Sequence, residues 1–263
     1  QVGAATTYTD LITALDSALD PRGSEGTAVL ETLRYMARRT AGTVLRNTAT
    51  LGGNTMMVLR HILTGAVFPS DLFTALVALG ARITYWRASS QQRTTVDAGE
   101  LVTLVGEGTT DLDDLVLLHY TVPLGTPDTE AVAHKTALRE VNAHALANAA
   151  VRLETDPAQS STGENGSLWI TGADVVLGGV DTGPWRAEGV LVGLTESALT
   201  VNSIDPLVAD LREEVGAVLA ISAERRRAAP DEGISDDYLA DLAAGFLRKS
   251  LIAALRNRGV TVP

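Results

Sequence analysis

A glycine pair between two helix-like segments is the part of this chain best suited to hold an anion. The pair, Gly52 and Gly53, follows an uncharged stretch that begins at Asn47, and it precedes the amide Asn54. Glycine lets backbone N–H groups approach a ligand where a Cβ would block them. Thr50 and Asn54 flank the pair and can hydrogen-bond a phosphate or a polyol. The composition therefore favours an anion- or cofactor-holding loop, with a plain tight turn as the alternative.

Metal and hydrolytic chemistry have no support in the sequence. The histidines lack the HxH or HExxH spacing of metal sites, and no G-x-S-x-G elbow is present. The absence of cysteine excludes disulfides, thiolate metal sites and iron–sulfur ligation by this chain. We therefore predict no catalytic and no metal-ligating residue here.

The segments around the glycine pair are predicted to be helices and short strands. Thr9 is placed to cap a first helix, which the stretch at Pro21 ends, and Leu33 lies on the apolar face of a second helix. Ser70 and Asp71 open a further helix, which Gly80 ends; Asp71 is a cap or first-turn acid in this interpretation. Strands are predicted at Val2–Ala5, Arg82–Trp86, Gln91–Val96 and Leu115–Val122.

Proline, glycine and threonine in Gly125–Glu130 indicate a boundary between residues 1–124 and 125–263. Beyond it, strands are predicted at 131–137, 145–153, 167–171 and 173–177, although the alanine-rich second of these would also suit a helix. The polar segment 156–166 is predicted to be a loop, and helices are predicted at 186–194, at 206–221 and from Ser235 to Gly259. Antiparallel strands with segregated helices predict an α+β fold.

The bulk composition excludes several partners. The net charge of −11 over 263 residues argues against nucleic acid and anionic membranes. The basic run Arg225–Arg227 is interpreted as a solvated helix end. No apolar run reaches the length of a membrane span. The start at Gln1, without Met or a signal-peptide pattern, predicts a cytoplasmic or organellar protein with a processed or truncated N-terminus.

Two motifs together resemble the FAD-binding domain of the xanthine dehydrogenase and aldehyde oxidase family. Arg46–Asn54 matches the family's R-N-x-A-[ST]-[IL]-G-G-N loop, and Ser70–Ala81 matches its S-D-L and A-L-x-A-L-G-A pattern. The resemblance implies a flavin subdomain of antiparallel sheet and helices, followed by a three-stranded antiparallel sheet with a helical bundle. It also implies a first flavin subdomain before this point, which is not part of this sequence.

The resemblance implies FAD contacts for a set of residues. An aspartate at position 71 would hold ribose or ribityl hydroxyls, and a lysine at 135 would stabilise an anionic reduced flavin or a phosphate. The alternatives are that Lys135 is a solvent-facing strand residue and that Leu117 is an ordinary core residue. Met36 stands where many relatives carry an aromatic ring near the flavin. The implied contacts are Ala49, Thr50, Leu51, Gly52, Gly53, Asn54, Asp71, Leu117 and Lys135.

In the family, FAD receives electrons from iron–sulfur clusters and passes them to NAD or oxygen. Substrate oxidation occurs on a molybdenum cofactor in another domain or subunit. The leading hypothesis is therefore a flavin-binding portion of a molybdenum hydroxylase-type oxidoreductase, joined to iron–sulfur and molybdenum-cofactor domains or subunits in an oligomer or larger assembly. The alternative is a structural subunit derived from such a domain that has lost FAD binding. Dehydrogenase relatives carry an acidic pair that affects NAD use, and here a single acid, Glu140, is displaced from it. This departure counts against NAD reduction and is easier to reconcile with an oxidase-like relative, although the sequence does not decide between NAD and oxygen.

Overall fold

A computed structural model describes residues 1–20, 27–139, 142–226 and 234–263, without the side chains of 223–226. The predicted helix end at Pro21, the displaced acid Glu140 and the side chains of the basic run Arg225–Arg227 lie outside this description. Among the described residues, no helix combines the length and apolar content needed to cross a bilayer.

The first half of the chain forms an antiparallel sheet and the helices that cover it. The sheet has the order β1-β4-β2-β3. Its strands are β1 (Val2–Gly3), β2 (Arg82–Arg87), β3 (Gln92–Asp97) and β4 (Leu115–Thr121). The helices are α1 (Tyr8–Leu19), α2 (Ala28–Arg39), α3 (Thr43–Arg46), α4 (Leu51–Thr64), α5 (Asp71–Ala78) and α6 (Ala98–Gly106).

The second half forms a second antiparallel sheet covered by long helices. Its order is β5-β6-β7-β8, and β9 pairs with β7. The strands are β5 (Thr129–Ala137), β6 (Ala145–Ser161), β7 (Ser167–Gly178), β8 (Trp185–Arg186) and β9 (Ser197–Leu199). The helices are α7 (Glu188–Leu194), α8 (Val201–Arg226) and α9 (Asp236–Asn257). The α+β prediction of two antiparallel sheets with helices is confirmed. The second sheet has five strands and not the three implied by the resemblance, because the short strands β8 and β9 also pair with β7.

Three local predictions differ from the structure. Thr7, not Thr9, caps α1, because its hydroxyl accepts the N–H of Asp10 at 3.1 Å. The predicted loop 156–166 is mostly strand: β6 continues to Ser161, with an irregular register against β7. The glycine pair is not a loop but the first turn of α4.

The second sheet separates two buried clusters. On one face, Ala133, Ala150 and Val176 join the apolar cluster of the first half. On the other face, Ala149, Val151 and Leu153 join a cluster built with α8 and α9, together with their neighbours on β7. Because side chains alternate along a strand, the three long strands present one surface to each half of the chain. The domain boundary at Gly125–Glu130 stays a prediction.

Helix α5 lies between the first half and the second sheet, and all of its residues are buried. Ser70 caps its start, and Gly80 ends it in a left-handed conformation with φ +68°, as the sequence predicts. Arg152 of β6 donates from Nη1 to the Leu79 carbonyl at 2.8 Å. The sheet therefore holds the far end of α5 by a charge-assisted hydrogen bond.

Candidate functional site

The glycine pair forms the first turn of helix α4. Thr50 is the N-cap, and its hydroxyl accepts the N–H of Gly53 at 3.0 Å. The N–H groups of Leu51 and Gly52 donate to carbonyls in the turn after β1, at 3.1 and 2.8 Å, and the Asn54 N–H donates to the Thr50 carbonyl at 3.0 Å. Each of these four N–H groups therefore already has an acceptor within the chain.

Glycine occupies positions 52 and 53 for different structural reasons. A Cβ on Gly52 would lie 3.0 Å from the Ala4 carbonyl oxygen and 3.1 Å from the Ala4 Cβ. Gly52 is buried, so it allows α4 to approach the turn after β1. Gly53 is exposed, and its closest neighbour would be the Thr50 hydroxyl at 3.1 Å. Gly52 therefore serves packing, whereas Gly53 leaves bare backbone at the surface.

Two side-chain amides flank this bare backbone. Asn47 is exposed, and its Oδ1 accepts a hydroxyl from α1 at 2.6 Å. Asn54 is half-buried, and its Oδ1 accepts the Ser70 hydroxyl at 2.6 Å. The Nδ2 group of each amide has no hydrogen-bond acceptor among the described residues. Both groups can therefore donate to an oxygen-rich ligand at the positive end of the α4 dipole.

Ser70 connects this turn to the start of α5. Its hydroxyl accepts the Phe73 N–H at 3.2 Å and donates to Asn54. Asp71 follows in the first turn of α5, with a side chain that is 6% exposed. A single serine hydroxyl thus fixes the first turns of α4 and α5 relative to one another.

The carboxylate of Asp71 is paired with Lys135 inside the protein. Lys135 Nζ donates to Asp71 Oδ2 at 2.5 Å, to the Arg39 carbonyl at 3.0 Å and to the Ala143 carbonyl at 3.1 Å. These acceptors use all three donors of the ammonium group. Asn148 Nδ2 donates to the second carboxylate oxygen, Asp71 Oδ1, at 3.1 Å. The Lys135 side chain is only 5% exposed.

The strand register of the second sheet builds this cluster. Lys135 on β5 stands opposite Asn148 on β6, which stands opposite Gly178 on β7. A Cβ on Gly178 would lie 2.4 Å from Asn148 Oδ1 and 2.7 Å from Thr74 Oγ1. Glycine at 178 therefore leaves the space that the Asn148 side chain and α5 occupy.

The cluster is electrostatically strained. Burial raises the pKa of Asp71 above its ordinary value, and the charge and hydrogen bond of Lys135 and the hydrogen bond of Asn148 oppose this only in part. Burial, and then the charge of Asp71, raise the pKa of the Tyr8 hydroxyl. Among the described residues, Tyr8 Oη and Asn148 Oδ1 are buried without a hydrogen-bond partner. Unpartnered buried polar atoms are rare enough to mark a site under functional constraint.

The structure connects most of the residues implied by the resemblance, but not all. Hydrogen bonds link the Thr50–Asn54 turn to Ser70 and link Asp71 to Lys135, and Ser70 and Asp71 are neighbours in the chain. Leu117 lies on β4, where it is half-buried against the first apolar cluster, and it is not part of this hydrogen-bonded arrangement. Met36 is fully buried in the same cluster, so it is a packing residue in this structure. The FAD contacts themselves stay a prediction.

Sequence reasoning missed Asn148, Ser70 as a linking hydroxyl, and Tyr8. Asn148 is the single polar side chain in the run Ala145–Val151 and is completely buried. A lone amide in an apolar strand is a usable signal, because a buried polar group needs a partner. Its partner could be assigned only with the strand register, which the sequence alone does not fix.

Residues 1–124 match the family model described as the FAD binding domain in molybdopterin dehydrogenase. The match covers the first 124 of the 263 residues. The family accounts for the first sheet and for helices α1 to α6, and therefore includes the Thr50–Asn54 turn and Asp71. Lys135 and Asn148 lie beyond the matched residues. No curated protein matches the chain by sequence.

Solved structures of CO dehydrogenases and of a quinoline 2-oxidoreductase share the fold of this chain. A carbon monoxide dehydrogenase from Hydrogenophaga pseudoflava, which lacks the Mo-pyranopterin moiety of its cofactor, is 20% identical with a TM-score of 0.66 over 96% of this chain and 74% of the other. Reconstituted CO dehydrogenase from Oligotropha carboxidovorans is 19% identical, with the same TM-score and coverage. Quinoline 2-oxidoreductase from Pseudomonas putida 86 is 20% identical, with a TM-score of 0.63 over 97% and 74%. At these identities the likeness establishes the fold alone.

The residues fit FAD in one part of the site. Bare backbone at Gly53, two amide donors at Asn47 and Asn54, and the positive end of a helix of fourteen residues suit a phosphate or polyol. Asp71 and Lys135 differ, since their charged groups are buried and satisfied by one another and by backbone. Among the described residues, no group of histidines and carboxylates is arranged to hold a metal ion.

Proposed function

We propose that the chain is the flavin-binding portion of a molybdenum hydroxylase-type oxidoreductase that relays electrons through FAD to NAD or oxygen. The observation that carries this proposal is the family match over residues 1–124, which contains the exposed turn at Gly53. Bound FAD would supply the redox chemistry, and the chain would hold and orient it.

The Thr50–Asn54 turn would hold the cofactor. The Nδ2 groups of Asn47 and Asn54 would donate to its phosphate or hydroxyl oxygens, and the α4 dipole would favour the negative charge of the phosphates. Ala49 and Gly53 are exposed and would allow close approach, while Leu51 is buried and supports the turn from behind. Leu117, partly exposed on β4, would offer apolar surface.

The partners would be iron–sulfur and molybdenum-cofactor domains or subunits in a larger assembly. The likeness to CO dehydrogenase and quinoline 2-oxidoreductase supports this class of assembly. Electrons would arrive from these partners, because the chain contains no cysteine for an iron–sulfur cluster of its own.

A structural subunit that has lost FAD binding is the second candidate. The observations that favour it are the complete use of the first-turn N–H groups of α4 and the burial of the Asp71 and Lys135 charges. The two candidates differ in one measurement. Native complex purified with its partners shows the visible absorption of flavin under the first proposal and is colourless under the second.

Asn54→Leu tests the proposed site. The variant removes the Nδ2 donor and also the Oδ1 acceptor of the Ser70 hydroxyl. We therefore expect FAD to bind at least about tenfold more weakly, which corresponds to the loss of one hydrogen bond to a charged group. The unfolding temperature should fall modestly, and the protein should remain folded. FAD content and the dissociation constant of the native complex are the measurements.

Asn202→Leu is the matched control, because Asn202 is an exposed amide in the first turn of another helix, α8. It should leave FAD binding unchanged. Equal FAD affinity in Asn54→Leu and the wild type would reject the turn as the cofactor site.

A further inference from the structure

We infer that Asp71, Lys135 and Asn148 are positioning residues, which hold the cofactor turn of α4 in place from behind and do not themselves touch FAD. This inference rests on the proposed function and divides its site into two parts. The turn at Thr50–Asn54 would contact the ligand, and the buried cluster would fix the position of that turn.

The first argument is that the two charged groups, Lys135 and Asp71, are already paired and buried. The three donors of Lys135 are taken by Asp71 and two backbone carbonyls, and both carboxylate oxygens of Asp71 accept hydrogen bonds. The side chains of the pair are 5% and 6% exposed. A ligand atom could bind the ammonium group only by replacing one of its three acceptors, at the cost of leaving a buried polar group unpaired. It could reach the carboxylate only by displacing the residues that bury it.

The second argument is the physical path from the cluster to the turn. Asp71 is the first residue of α5, and the preceding Ser70 donates its hydroxyl to Asn54 at 2.6 Å. At the other end of α5, Arg152 holds the Leu79 carbonyl. The second sheet therefore fixes α5 at both ends. The Ser70 hydroxyl, at the start of α5, in turn fixes the first turn of α4.

The third argument is the shape of the cradle around Asn148. Asn148 is fully buried, and its amide donates only to Asp71 Oδ1 and, at 3.3 Å, to the Pro69 carbonyl. Both acceptors flank the Ser70 link. Gly178 leaves space for this amide, since a Cβ there would lie 2.4 Å from Asn148 Oδ1. The geometry directs Asn148 at the start of α5.

The test compares Lys135→Met and Asn148→Ala in the native complex. We expect both variants to weaken FAD binding by about tenfold, equivalent to about 1.4 kcal/mol of positioning energy. The absorption spectrum and midpoint potential of the flavin that remains bound should equal those of the wild type, because no charge next to the flavin is removed.

Glu130→Gln is the matched control, since Glu130 is another buried carboxylate paired with a cation, Arg258, in the second half. It should lower the unfolding temperature and leave FAD affinity unchanged. Should Lys135→Met fail to fold, Asn148→Ala and the double variant Lys135→Met with Asp71→Asn, in which no charge is left unpaired, carry the test.

Two outcomes would overturn the inference. A shifted flavin potential or spectrum in Lys135→Met would place the ammonium beside the flavin. Unchanged FAD affinity in both variants, with only a lower unfolding temperature, would reduce the cluster to a stabilising role.

Amide hydrogen exchange without FAD separates this inference from the proposed function. We expect faster exchange at Gly53 and Asn54 in Lys135→Met and Asn148→Ala, and wild-type exchange in Glu130→Gln. A wild type that binds no FAD would defeat the proposed function, and the exchange rates would still decide the positioning role. Exchange at these two amides equal to the wild type would refute it.

Discussion

The two faces of the second sheet differ in chemistry and in use. The face toward α5 carries Lys135, Asn148 and Arg152, each of which bonds to a specific atom of the first half. The face toward α8 and α9 is mainly apolar, with Val151 and Leu153 in a packed cluster. Apolar contact is not directional, whereas a buried ion pair tolerates only one geometry. Both faces pack against apolar residues, but only the face toward α5 adds this set of directional bonds to the first half. The difference indicates that these bonds help to set where the first half sits.

Lys135→Met should break the polar face and produce the largest loss. It leaves the Asp71 carboxylate buried without its cation, so we expect unfolding free energy to fall by about 3–5 kcal/mol at neutral pH. Burial already raises the pKa of Asp71, and the variant loses the cation that opposes this rise. Part of the loss should therefore be recovered as the pH falls through the raised pKa, since the native state then binds the additional proton. Denaturant unfolding across pH measures this.

Leu153→Ala is the control for the previous prediction on the apolar face. Leu153 is 1% exposed, and the truncation should cost about 2–5 kcal/mol with the pH dependence of the wild type. A Lys135→Met variant whose loss is equally independent of pH would contradict the charge argument.

Gly178→Ala should have an intermediate effect. The added Cβ would overlap Asn148 and Thr74, both fully buried, and we expect a loss of about 1–3 kcal/mol. Gly172→Ala lies on the same strand, with its nearest neighbours at 3.7 Å, and should be close to neutral. Equal unfolding free energies for the two variants would show that the cradle has room for a methyl group.

His134→Phe should have the smallest effect and sharpen the contrast between the faces. His134 neighbours Lys135 on β5 but faces α9, stacking on Phe246 and contacting Ser250 Oγ at 3.1 Å. Burial, and then Lys249, lower the pKa of His134 to about 4. Because the unfolded side chain binds its proton at the ordinary value, wild-type stability should decline as pH falls from about 6.5 to about 4. Phenylalanine keeps the stacking and should flatten that decline in denaturant unfolding; an unchanged slope would refute this.

Much of the fold follows from local sequence signals. Ser70 and Ser235 cap helices, and Gly80 and Gly259 end helices with positive φ, as predicted. Strand β6 was ambiguous because of its alanines, and its paired neighbours decide in favour of a strand. Where local chemistry and pattern agree, the prediction succeeds; where long-range pairing decides, as at 156–161, it does not.

The candidate site divides in the same way. The Thr50–Asn54 turn has a sequence motif, yet its helical state depends on carbonyls after β1 that are distant in sequence. The resemblance assigns both Asp71 and Lys135 to the site. Their direct contact across 64 positions depends on the strand register, which also places Asn148 beside them. The burial of these side chains and the use of all three Lys135 donors are properties of the folded chain. They cannot be predicted from the spacing of residues in the sequence.

Helix α5 has one further consequence. It has no surface of its own, and the second sheet grips it at Asp71 and at Leu79. If residues 1–124 were expressed alone, one side of α5 would be exposed to solvent and Asp71 would have no counter-ion. We therefore expect the portion that carries the family match to be inseparable from the later strands: a chain cut between β4 and β5 should recover its native form only when both pieces are mixed.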